Sequence, residues 1–158
     1  MAVPAPAAVA ADNVTLYYDS STLTRDFRDA VALAAYQINI ANAATGVELQ
    51  NVHGTQTPPA TSAAIRFVVV DGPLDETAVG PVQPGQTVVT VRLGRAPVVA
   101  GRRPVLVATH AFGRALGLPE DESGQCKSMM SAIHSGPTCG RTTLNSSEVS
   151  AVAAHYRR

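Results

Sequence analysis

His110 and Arg114 stand four residues apart in the stretch THAFGRALGLPED, residues 109–121. On a helix that spacing stacks an imidazole and a guanidinium on one face. Gly117 suits the left-handed position that ends a helix. Beyond it, Leu118, Pro119, Glu120 and Asp121 turn the chain back, so a carboxylate can approach the face that His110 occupies. An imidazole with one or two carboxylates is the raw material of a metal site or of proton transfer. Arg114 does not fit that chemistry, because a guanidinium has no lone pair to offer. It fits another: a forked pair with Glu120 or Asp121 would tie the turn to the helix. The plain alternative is a surface helix with a solvated Arg114 and a His110 that is a satisfied polar neighbour.

Cys126 and Cys139, thirteen positions apart, frame a Gly/Ser/Pro-rich loop. A disulfide in an oxidising compartment would close it and stabilise the fold by roughly 3 kcal/mol; two free thiols are the alternative. No C-x-x-C spacing is present, which argues against a zinc site built on these two. His134 lies in the same loop, four residues after Met130, while His53 and His155 have no motif around them and read as surface residues.

The elements that must hold these groups are legible from periodicity. NVTLYYD alternates Val14, Leu16 and Tyr18 against polar neighbours, a strand pattern. Phe27, Val31, Ala34, Ala35, Ile38 and Ala41 recur at helical spacing, and Gly46 closes that segment. VELQNV (47–52) reads as a second strand, AAIRFVVV (63–70) as a buried one and QTVVTVRL (86–93) as a fourth, with a short edge strand at 77–82 where Pro81 is tolerated. Pro104 opens the helix that carries His110, and Gly117 follows its end. Asn145 and Glu148 form a box-like start to a last helix. The order is that of an α+β protein without internal repeats.

Bulk properties exclude some partners. Twelve basic and twelve acidic residues cancel in 158, so charge does not steer the chain to nucleic acid or anionic membrane. No apolar run reaches the roughly 18 residues of a membrane span. Residues 1–12, rich in Ala and Pro, read as a flexible leader before a domain over residues 13–158. Arg is used in place of Lys everywhere except Lys127, a bias of GC-rich bacterial genomes.

Taken together, these features resemble the snapalysins, small secreted neutral metallopeptidases of streptomycetes in the metzincin group. Their helix reads H-E-x-G-H-x-L-G-L-P-D, followed by S-G-x-C, a methionine turn and a second cysteine. Here HAFGRALGLPED is followed by ESGQCKSMMSAIHSGPTC. The resemblance is specific from His110 to Cys139 and pattern-level over the rest of Val14 to Arg158.

The resemblance implies a single metzincin-like (zincin) domain: a mixed twisted sheet, an N-terminal helix, an active-site helix, a Met-turn at Met130 and a C-terminal helix. His110 takes the place of the first zinc-binding histidine, and Glu120 that of the third ligand, an aspartate in the family, with Asp121 one step later. Ala111 stands where the family has its general-base glutamate, and Arg114 where it has its second zinc histidine. Losing a positioned base typically removes about 10²–10⁴ in rate. A guanidinium about 4 Å from a dication is repelled by roughly 8 kcal/mol at an effective dielectric near 20. His134 is the candidate substitute ligand, against the simpler reading of an exposed loop histidine.

The resulting expectation is a secreted, extracellular, actinobacterial monomer of zinc-endopeptidase descent that is proteolytically inactive and needs no cofactor as written, zinc being the cofactor of the parent family. Its cleft would bind a peptide or protein, with strand addition along residues 77–82 as one mode. Two alternatives stand beside it. One is a zinc endopeptidase silenced by substitution or using an unusual ligand set; the other is a structural domain with no use for the cleft.

Overall fold

The computed structural model describes residues 14–52, 65–72, 80–84, 89–99, 101–121, 123, 125–131 and 139–156. Expectations placed on the leader, on His53, on His134 and on residues 77–79 lie outside these residues.

Strand β1 (Val14–Asp19) buries Val14, Leu16 and Tyr18 and turns Thr15, Tyr17 and Asp19 to the other face, as its alternation requires. Helix α1 (Arg25–Asn39) buries Phe27, Ala30, Val31, Ala34, Ala35 and Ile38, a single stripe at helical spacing. Ala41 falls past its end, and a short helix α2 (Asn42–Thr45) leads into strand β2 (Val47–Asn51). The Asn39 side chain accepts from the Leu49 N–H and donates to the Leu49 carbonyl, both at 2.8 Å, joining α1 to that strand. Strands β3 (Ile65–Val70) and β4 (Val89–Gly94) follow, then the short helix α3 (Ala96–Val99), which the sequence pattern did not suggest.

The four described strands lie in the order β2-β1-β3-β4, and every pairing is parallel. Among the described residues the α+β order holds, and no antiparallel strand accompanies these four. Parallel neighbours require crossover connections, and α1 supplies one between β1 and β2. The expected edge strand is also absent where it can be seen: Gly80 N–H donates to the Arg114 carbonyl at 2.9 Å and Val82 N–H to the Ala115 carbonyl at 2.8 Å. Those donors satisfy the open carbonyls at a helix end instead of forming a sheet ladder.

Helix α4 (Pro104–Ala115) is buried almost all round, from Val105 through Gly113 and again at Ala115. It packs on α1 and reaches β4. Phe112 is its wedge: the ring meets Phe67 of β3 edge-on at 4.9 Å between centroids and Tyr18 of β1 at 5.4 Å. Such edge-to-face contacts add about 0.5–1.5 kcal/mol each to the area that the rings bury. They also fix the rotation of α4, and hence the direction in which His110 points. The last helix, α5 (Ser146–Tyr156), buries Glu148, Val152, Ala153 and Tyr156 and packs against α2 and β2.

Candidate functional site

The end of α4 builds the site. Leu118 N–H donates to the Gly113 carbonyl at 2.9 Å and Gly117 N–H to the Arg114 carbonyl at 3.0 Å, the paired bonds of a Schellman turn. Gly117 has φ 87°, a conformation that side chains resist, and a Cβ there would also lie 2.7 Å from His155 Nδ1. His155 is half-buried, where the sequence suggested a surface residue. Its Nδ1–H donates to the Leu116 carbonyl at 3.1 Å, pinning α5 to the same turn.

The reversal brings Glu120 back to the helix. His110 Nε2 lies 3.0 Å from Glu120 Oε2, and Arg114 Nε lies 3.7 Å from Glu120 Oε1. A carboxylate can only accept, so His110 presents Nε2–H to it. The Arg114 distance is beyond hydrogen-bond range and describes an ion pair. Arg114 also donates from a terminal guanidinium nitrogen to the Leu118 carbonyl at 3.3 Å. Imidazole, carboxylate and guanidinium are thus joined in one cluster, His110 almost wholly buried and the Glu120 side chain 32% exposed. Asp121 accepts from the Ser123 N–H at 3.1 Å, a turn of its own.

Ala111, beside His110, is fully buried in the main apolar cluster. Met129 and Met130 are buried on the other side of α4's last turns, where a Cβ on Gly113 would overlap Met130 Sδ and approach Met129 Cε to 2.9 Å. Cys126 and Cys139 form a disulfide with their Cα atoms 5.6 Å apart. A separate cavity of about 350 Å³, lined by Thr24, Asp26, Phe27, Arg95, Val98 and Pro104, sits at the other end of α4.

Glu148 has a larger role than its place in the sequence suggested. With Asn145 it makes the expected reciprocal cap: Glu148 N–H donates to Asn145 Oδ1 at 2.8 Å, and Asn145 N–H to Glu148 Oε1 at 3.0 Å. It also accepts from Ser128 Oγ at 2.8 Å and from the Met129 N–H at 3.4 Å. The side chain that starts α5 therefore holds the methionine segment against α4. A box-like S/T/N-x-x-E pattern shows the cap, but nothing local reveals its partners twenty residues upstream.

Does this donor set suit zinc? A zinc centre needs neutral imidazoles, thiolates or carboxylates turned toward one point. Among the described residues no three His, Cys, Asp or Glu side chains form such a group. His110 and Glu120 face each other through a proton, and the neighbouring position holds a permanent cation. These residues do not fit the ion.

Residues 102–157, from just before α4 to the end of α5, match the family model described as Streptomyces extracellular neutral proteinase (M7). The match covers roughly a third of the chain. That stretch includes the helix, its turn, both cysteines of the disulfide and the last helix, and it is over these elements that the chain is similar to the family. Over those residues the chain is snapalysin-like. No curated protein matches the chain.

Proposed function

We propose that this is a secreted, proteolytically silent descendant of the snapalysin-type peptidases, whose cleft binds an extended peptide without cleaving it. The observation that carries the reading is the His110–Glu120–Arg114 cluster: the groups that would activate water in a peptidase are bonded to one another, and Ala111 offers no proton acceptor. In such a site no general base stands ready to take a proton from water. The helix, the Gly117 turn, the disulfide and the methionine segment, which lie in or beside the stretch similar to that lineage, support the reading of a cleft beside the cluster. Strand β4 lies at one edge of the described sheet, and an edge strand is a template for an extended ligand.

The test uses casein and fluorescein-labelled casein peptides, with added zinc. The expected result is no cleavage, together with saturable peptide binding by fluorescence anisotropy. Chelator-sensitive hydrolysis would overturn the silence and favour the zinc-endopeptidase alternative. Absence of both cleavage and binding would overturn the binding role and leave a structural domain.

A further inference from the structure

We infer that Arg114 is the resident cation of this site, its guanidinium standing in for a metal ion as the link between α4 and the turn that follows it. The two oxygens of Glu120 are divided between Nε2 of His110 and Nε of Arg114. The same guanidinium donates to the Leu118 carbonyl, so it grips the turn by its backbone and by its carboxylate at once. A metal ion bound by His110 and Glu120 would join the same two segments. Only 19% of the Arg114 side chain is exposed against 32% of the Glu120 side chain, so solvent screens the pair from the carboxylate side and less from the guanidinium side.

Charge balance points the same way. The Glu120 carboxylate and the Arg114 guanidinium cancel each other. A dication would have to break the His110–Glu120 bond, displace the proton on His110 Nε2 and settle beside a like charge that cannot be lost. The neutral pair also argues against an anion trap, since the positive charge is already answered. This arrangement makes the attachment of the turn independent of metal. It does so whether or not the cleft binds peptide.

The experiment compares thermal unfolding of the full chain, R114A and R114H, each with a chelator and with added zinc, alongside elemental analysis of the purified proteins. For the chain itself, melting is expected to be unchanged by the chelator and by zinc. R114A is expected to melt about 3–6 °C lower, a shift that zinc does not restore. R114H places two histidines at i and i+4 opposite Glu120, a zinc-binding set. It is expected to bind about one zinc per chain and to melt higher with zinc than with chelator, while remaining inactive because Ala111 is retained.

Loss of stability of the unaltered chain in chelator, or an unchanged melting temperature in R114A, would overturn the proposal. If R114A does not fold, the zinc response of R114H decides: indifference to zinc would mean that Arg114 does not occupy the metal's place. Peptide binding and cleavage are read separately, so failure of the binding role leaves these outcomes untouched.

Discussion

Gly113 lies between Phe112, which wedges into the sheet, and Arg114, which holds the turn. In an exposed helix, replacing glycine by alanine gains about 1 kcal/mol. Here the sign should reverse, because the added methyl group would overlap Met130 Sδ and crowd Met129 Cε, and both side chains are buried. Overpacking a filled interior costs about 1–3 kcal/mol. G113A is therefore expected to be less stable in urea denaturation, and a gain in stability would show that the methionines can yield without cost. His110, Arg114, Gly117 and Glu120 could be picked out in the sequence because their relations are local: four residues along a helix, then a turn. The demand on Gly113 could not, since it is set by methionines sixteen and seventeen positions away that only the folded chain brings into contact.

At the scale of elements, apolar periodicity reveals those elements that have one face to bury. β1 and α1 show it most clearly, with alternation in one and a three-and-four stripe in the other. Sheet direction was less accessible. It depends on crossovers between elements, and no local pattern distinguishes a parallel from a mixed arrangement for short apolar strands. The segment at 80–82 shows how tertiary demand overrides local pattern: its N–H groups go to the carbonyls ending α4, where an unsatisfied end would otherwise be buried. Glu148 is the corresponding case at the start of α5. It unites the helix cap with Ser128 and Met129, so E148A should release two elements together. Loss of hydrogen bonds to a charged, buried carboxylate is expected to cost roughly 2–3 kcal/mol. Hydrogen exchange should quicken at the amides of both Met129 and Asn145. Faster exchange at Asn145 alone would show that the methionine segment is held by other means.

Across the whole molecule, two buried tyrosines link distant segments and set a response to alkali. Tyr156 of α5 donates its hydroxyl to the Val82 carbonyl at 2.7 Å, and the 80–84 segment in turn caps α4. Burial pushes the Tyr156 hydroxyl far above its ordinary range. Burial also raises Tyr18, packed against Phe112, with a hydrogen bond to Asn51 pulling partly back. Both groups hold their protons in the folded chain at a pH where the unfolded chain begins to release them, near pH 10. The unfolded state then binds fewer protons than the native one, so stability falls as pH rises. Their contribution is fully present below pH 10 and is lost as pH climbs toward the folded-state values. Each group can lower stability by up to about 1.4 kcal/mol per pH unit in that interval. Few other groups compete: arginine stays protonated, Lys127 is the one lysine, and both cysteines are in the disulfide. Urea denaturation at pH 8 and near pH 11 should therefore show a marked alkaline loss. Y156F should lose about 1 kcal/mol at pH 8 through its missing hydrogen bond, and its stability should decline less steeply above pH 10. An equal decline in both proteins would place the alkaline sensitivity elsewhere than at the contact joining α5 to the segment that caps α4.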